Sequence, residues 1–380
     1  VYNISIVLIG GMIMRAVISG GGTGGHIYPA LAIAEELRAR GDEILYMGGA
    51  DSTEEELVKG YGFDFASVAT SPLHRNLLKV VGDLAANCRG MHEARKIIAD
   101  FAPSVAIGTG GFVTAPVLSA AQSLHIPTMI HEQNAFPGLA NRRLAQKAEA
   151  VCLTFAPAQR YFPHQERIHY TGLPVRQRII EAGCESFKRE AYAFFEIPEA
   201  EQTIPTLLIT GGSQGAQSIN EAAYAAYSGL LDAGYRIIHL CGKKNYFSMK
   251  QKAPQDRRLI LLPYLEKMEY GLAVADLAFA RAGASFLAEV AGLGPPTILV
   301  PYPYATNDHQ AANAKVFSEE DAAVMIKDTD LNGERLLQIV QALFNNPVRL
   351  ERMQAGAHLL AKTTAAADIA DVAYSIAKNK

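Results

Sequence analysis

The chain has 380 residues, 49% of them hydrophobic and 19% charged, which is enough apolar mass for a sizeable core in two domains and excludes disorder. Lys plus Arg number 35 against 38 Asp plus Glu, and a net charge of -3 supplies no global basic field for gripping nucleic acid, which is not expected as a partner. Cys88, Cys152, Cys184 and Cys241 form no C-x-x-C pair, which speaks against a zinc knuckle or a disulfide scaffold and for a reducing cytoplasm.

The chain opens on an apolar run, Ile4 to Met14, of eleven residues. It falls short of the roughly 20 that a membrane-spanning helix needs. It also lacks the basic flank of a signal peptide, since the first cation is Arg15. Residues 1–14 are read as an extension ahead of the fold, with Met14 as a natural start. From there, β-branched segments alternate with helical patterns, the mark of βαβ units around parallel sheets, so the fold class is α/β. Strands are predicted at 16–19, 43–47, 65–69, 105–108, 128–131 and 150–153. Leu31, Ala34 and Leu37 share one face of the first helix, which is expected to end near Gly41. The stretch 174–205 carries charges and Pro198 and reads as a linker. At Thr206 the design restarts, with further strands predicted at 206–210, 236–240, 259–262, 277–280, 296–300 and 323–326. The alanine-rich tail, 355–378, reads as helix.

Glycine or polar turns sit where such strands end. Gly20-Gly-Gly-Thr-Gly-Gly-His26 leads into a helix whose N-terminus offers free N–H groups to an anion; it is neither a dinucleotide fingerprint nor a P-loop. His26 at that mouth is placed to act as a neutral general base or, alternatively, to cap its own turn. His131-Glu-Gln-Asn134 crowds one strand end with polar groups that hold a polar substrate or brace the loop. Arg176 is a candidate phosphate clamp or a plain surface cation. Gly211-Gly-Ser-Gln-Gly215 repeats the first turn about 190 residues on, with Ser213 offering a hydroxyl and an N–H to a diphosphate. It also fits the spacing of a nucleophile elbow, a reading set aside because the first glycine loop would then have no role. Arg281-Ala-Gly-Ala284 opens a helix carrying Glu289, and a carboxylate so placed can take both hydroxyls of a ribose. Asn307-Asp-His-Gln310 and Asn313 complete a third polar cluster in this half. The segment Ser71 to Val81 mixes cations with leucines and suits an anionic membrane surface or a helix packed on the sheet.

Taken together, the motifs at 21–26, 131–134, 211–216 and 281–289 resemble those of the MurG family, bacterial transferases that add N-acetylglucosamine to undecaprenyl-diphospho-muramoylpentapeptide (lipid I) to give lipid II. The match runs in order from about residue 15 to the end. The resemblance implies a B-type glycosyltransferase fold of two Rossmann-like doubly wound domains. These would be an acceptor- and membrane-facing domain at 15–175, a UDP-sugar domain at 176–355, and a C-terminal helix, 356–380, returning to the first. It implies inverting transfer from UDP-N-acetylglucosamine to the muramoyl 4-hydroxyl in peptidoglycan synthesis, with no cofactor and no metal. The partners are the donor, lipid I and an anionic membrane surface, and the location is the cytoplasmic face of the cell membrane. Carried over, the catalytic residue is His26. Substrate is bound by Thr23, Gly24, Gly25, Asn134, Arg176, Ser213, Leu265, Ala284, Ser285, Phe286, Leu287, Ala288 and Glu289, with His309 or Gln310 on the sugar. A sugar-nucleotide 2-epimerase, a natural-product glycosyltransferase and a non-catalytic nucleotide-sugar sensor are the competing readings.

Overall fold

A computed structural model describes residues 13–72, 77–175, 177–212 and 214–378. The chain forms two parallel sheets. The first contains β1 (Arg15–Gly20), β2 (Glu43–Gly49), β3 (Asp64–Val68), β4 (Val105–Gly110), β5 (Thr128–Glu132), β6 (Ala150–Leu153) and β7 (Ile168–Tyr170), in the order β3-β2-β1-β4-β5-β6-β7. The second contains β8 (Thr206–Thr210), β9 (Arg236–Leu240), β10 (Leu259–Leu262), β11 (Leu277–Ala280), β12 (Thr297–Leu299) and β13 (Ala323–Met325), in the order β10-β9-β8-β11-β12-β13. Every pairing is parallel, so each strand needs a crossover and both sheet faces are covered by helices.

The strands are short, continuous apolar runs because they are buried on both faces: Val17, Ile18, Ile107 and Met129 in the first sheet, and Leu208, Ile209, Ile238 and Phe279 in the second, are fully buried. Leu31, Ala34 and Leu37 are likewise buried on the helix Gly24–Ala39. β7 is the strand that pattern reading misses. It is three residues long and only partly buried, so it offers no apolar run to detect.

Two expectations are corrected. The stretch 174–205 is no open linker: it folds into the helices Gln177–Glu181 and Glu185–Phe194, which pack on the helices Ala284–Leu293 and Met268–Val274. Its charges mask an amphipathic stripe, Phe187, Ala191 and Tyr192, that is buried in the second lobe's core. The tail is two helices, Pro347–Leu359 and Ala365–Lys378, rather than one. The last helix crosses back to the first lobe, where Ile369, Ala370 and Ala373 join Ile18, Leu31 and Leu37 in one core. Arg40 bridges Asp371 at 2.5 Å, and the Tyr374 hydroxyl donates to Asp42 at 2.6 Å.

In each sheet the strand order reverses at one place, between β1 and β4 and between β8 and β11. Ligands of open α/β sheets bind outside the carboxyl ends of the strands at that switch point. Here both switch points open onto one cleft of about 2040 Å³.

Candidate active site

The turns that leave β1 and β4 are locked together. The Gly21 N–H donates to the Gly110 carbonyl at 3.3 Å, and the Thr114 hydroxyl donates to the Gly110 carbonyl at 2.7 Å. At Gly111, where φ is +86°, a Cβ would stand 2.1 Å from the Gly21 carbonyl oxygen, so only glycine fits. The second lobe repeats the device: a Cβ on Gly215 would lie 2.3 Å from the Cys241 carbonyl oxygen. Each lobe thus presents bare backbone to the cleft.

His26 lies in the first turn of the helix Gly24–Ala39, on the cleft wall. Its Nδ1 is 3.2 Å from the Gly21 carbonyl and 3.2 Å from the Thr23 hydroxyl. A carbonyl only accepts, so Nδ1 carries the proton and Nε2 keeps its lone pair. Burial lowers the His26 pKa below 6.5, the Gly21 carbonyl partly offsets this, and the charge of His309 across the cleft lowers it further. The imidazole is therefore neutral at pH 7 with an available acceptor nitrogen, the state that a general base requires. Thr23, Gly24 and Gly25 line the same wall.

In the 131–134 cluster, bracing and cleft-facing roles are shared out. His131 is fully buried; its Nε2 meets the Gly172 carbonyl at 2.8 Å and its Nδ1 meets the Gln133 amide at 3.0 Å, and burial pushes its pKa down to about 4. Glu132 accepts from the backbone N–H groups of Asn134 at 2.9 Å and Gly138 at 3.1 Å and from the Asn141 amide at 2.9 Å. Burial raises its pKa against those bonds. These two residues hold the loop. Gln133, Asn134 and Asn141 line the cleft, and the oxygens Gln133 Oε1 and Asn141 Oδ1 are buried there without a hydrogen-bond partner. Polar atoms left so are costly unless a ligand meets them.

In the second lobe, Leu265, Ala284, Ser285, Phe286 and Glu289 line the cleft. Ser285 Oγ is buried and unpartnered at the mouth of the helix Ala284–Leu293, whose Gly283 cap leaves N–H groups to an anion. Leu287 and Ala288 do not reach this cleft. Leu287 is fully buried and Ala288 packs against the same core, because a 3.6-residue repeat turns those two positions away from this cleft, toward Phe155, Leu173 and Phe317. His309 and Gln310 both stand on the wall; the Gln310 side-chain oxygen accepts from the Tyr302 N–H at 3.0 Å, and His309 Nδ1 meets the Thr306 carbonyl at 2.9 Å. The chain reaches them through two left-handed residues, Asn307 at φ +54° and Asp308 at φ +53°, types that tolerate this conformation. Arg176, Ser213 and residues 73–76 lie outside the described residues.

Arg281, 9% exposed, is clamped rather than free. It donates to the carbonyls of Val300 at 3.1 Å and Pro301 at 3.2 Å, to the Ser218 hydroxyl at 2.8 Å and to Asp328 at 2.5 Å. One Asp-x-Asp spacing, Asp328-Thr329-Asp330, escapes the motif reading above; its Asp328 is committed to Arg281 and to Ser218 at 2.6 Å. Among the described residues no group of three or more His, Cys, Asp or Glu is placed to hold a metal. Sequence reasoning also missed Tyr28 and Asn141 on the first wall and Ser218 and Asp328 on the second, for none of them stands in a motif that the sequence singles out.

Residues 16–153 match the model of the glycosyltransferase family 28 N-terminal domain, and residues 206–372 match that of the family's C-terminal domain. A relative from Halothermothrix orenii, named UDP-N-acetylglucosamine–N-acetylmuramyl-(pentapeptide) pyrophosphoryl-undecaprenol N-acetylglucosamine transferase, is 44% identical over 90% of this chain and 93% of its own length. One of the same name from Desulforamulus reducens is 41% identical over 94% of this chain and 97% of its own. The crystal structure of Acinetobacter baumannii MurG superposes with a TM-score of 0.78 at 28% identity, covering 95% of this chain and 99% of that one.

Proposed function

The chain belongs to glycosyltransferase family 28 and, within it, to the MurG family, and from that membership and the shape of the cleft we infer the reaction it performs. It transfers N-acetylglucosamine from UDP-N-acetylglucosamine to the 4-hydroxyl of the muramoyl sugar of lipid I, with inversion, giving lipid II. The observation that carries this reading is that the glycine turns at both switch points open onto one cleft, with a neutral histidine on one wall and unpartnered polar atoms on both.

In this reaction, His26 Nε2 takes the proton from the attacking hydroxyl while the Gly21 carbonyl holds the proton on Nδ1 and steadies the imidazolium that forms. The departing diphosphate is met by N–H groups of the turns after β8 and β11, with Ser285, Ser213 and Arg176 as further donors. Glu289 takes the ribose hydroxyls, Leu265 flanks the uracil, and His309 with Gln310 reaches the sugar. Thr23, Gly24, Gly25 and Asn134 face the acceptor and the transferred group. On this reading residues 15–175 serve the acceptor, residues 176–355 serve the donor, and 356–380 tie the second lobe to the first.

Because lipid I carries an undecaprenyl tail, the protein works at the cytoplasmic face of the membrane. Among the described residues no helix is long and apolar enough to cross a bilayer. Val81 and Leu84, 71% and 50% exposed on the helix Leu77–Phe101, and Leu139, 49% exposed near Arg142 and Arg143, suit an anionic lipid surface. The segment 71–81 is proposed as part of the same lipid contact.

Incubation with labelled UDP-N-acetylglucosamine and a lipid I analogue tests the reaction. The expected product is the labelled disaccharide lipid. Free epimer in its place would identify a 2-epimerase, and binding without turnover would identify a sensor.

A further inference from the structure

The helix His309–Glu319 starts at the cleft and runs back between the lobes. His309, Asn313 and Phe317 recur every fourth residue and so share one face. That face meets the first lobe. Asn313 is fully buried and stands behind the cleft wall, not on it. Its side-chain oxygen accepts from the Ala135 backbone N–H at 2.8 Å, and its amide nitrogen donates to the Asn134 side-chain oxygen at 3.1 Å and to the Ala282 carbonyl at 3.2 Å. One turn on, Phe317 meets Phe155 of the first lobe edge to face, with ring centroids 6.4 Å apart.

These bonds join two functional segments that belong to different lobes. Asn134 and Ala135 sit in the loop that Glu132 braces, below β5. Ala282 lies two residues ahead of the helix Ala284–Leu293, whose mouth faces the donor. Only a primary amide supplies both the acceptor for Ala135 and the two donors for Asn134 and Ala282. An aspartate would keep the first contact and turn a carboxylate oxygen against two oxygens.

We propose that Asn313 is the positioning residue that sets the register of the two lobes, fixing the distance between the first lobe's His26 and the donor held by the second. This rests on the transfer reading for its kinetic consequence, and on the hydrogen bonds alone for its geometric one. Misplacing reacting groups by about 1 Å costs on the order of 100-fold in rate, with no contact to either substrate removed.

The protein carries its own reporters. Cys88 on the helix Leu77–Phe101 of the first lobe and Cys184 ahead of the helix Glu185–Phe194 of the second are exposed, whereas Cys152 and Cys241 are buried. Nitroxide labels on this native pair allow the interlobe distance distribution to be read by pulsed dipolar spectroscopy, without ligand, in the full chain. Asn313→Asp is expected to broaden or lengthen that distribution. It should also lower kcat about 100-fold while the Kd for UDP-N-acetylglucosamine stays within about threefold. Should Asn313→Asp fail to fold, the milder Asn313→Ser must show the same two changes with donor affinity likewise held. An unaltered distance distribution in the folded variant overturns the proposal, as does unaltered kcat or a loss confined to donor affinity. If the unmodified protein transfers no sugar, it is the functional reading that falls, and the distance measurement still decides the role of Asn313.

Discussion

Replacing His26 by Ala removes Nε2, the acceptor left free once Nδ1 is committed to the Gly21 carbonyl. A positioned general base contributes on the order of 100- to 10,000-fold, so kcat should fall by that factor, equivalent to about 3–5 kcal/mol of transition-state stabilisation. The side chain is only half-buried and makes two long hydrogen bonds, so its loss should cost no more than about 1 kcal/mol of folding stability. Donor affinity should hold, because the proposed donor site lies on the other lobe. The pH profile adds a second signature. Burial and His309 depress the His26 pKa, so the unmodified enzyme keeps a neutral base down to a pH below 6.5, and its acidic limb lies there. The Ala variant should lack that limb. Initial rates with labelled donor across the pH range, paired with calorimetric donor binding, measure both. Near-normal kcat in the variant, or an acidic limb that persists without the imidazole, refutes His26 as the base.

Gly111→Ala should destabilise the first lobe by about 1–3 kcal/mol and cut kcat/KM, since the new Cβ meets the Gly21 carbonyl at 2.1 Å and φ is +86°; an unchanged Tm would contradict the interlocking of the two turns. Leu287→Ala should cost about 2–5 kcal/mol with donor Kd unaltered, because the side chain faces the core, whereas Glu289→Ala should weaken donor binding at least about tenfold; thermal unfolding and calorimetry on both variants distinguish the two faces of this helix. His131 and His239 are buried neutral, with pKa values pushed down to about 4 and about 3. Each therefore contributes stability above pH 6.5 that declines by about 1.4 kcal/mol per pH unit as pH falls toward its folded value, and a pH-independent Tm over that range would count against their burial. Val81→Asp with Leu84→Asp should reduce co-sedimentation with anionic vesicles while turnover of a short-chain soluble acceptor survives; undiminished sedimentation removes this patch from the membrane contact.

Much of the fold is legible in the sequence because parallel strands buried on both faces leave continuous apolar runs. Thr206–Thr210 and Leu277–Ala280 are bounded to the residue, whereas β7, three residues long and half-exposed, leaves no such trace. The glycine turns are equally legible, since backbone packed against backbone, as at Gly111 and Gly215, admits no other residue. Single positions within a motif are less so. The resemblance implies the contiguous stretch 284–289 as a whole, but a helix shows only part of its circumference to a cleft, and Leu287 and Ala288 face inward. Contacts between segments far apart in the chain are invisible to local pattern: nothing around Asn313 or Arg281 announces that one bridges to Asn134 and the other is clamped by Asp328, 47 residues away. Those partners meet only through tertiary packing.

Hydrogen exchange with and without UDP-N-acetylglucosamine addresses most directly the claim that the second lobe holds the nucleotide sugar while the first brings the base. The expected result is strong added protection in the turns after β8 and β11, at 211–216 and 281–289. Protection confined to the first lobe's glycine turns, with those two segments unaffected, would contradict it.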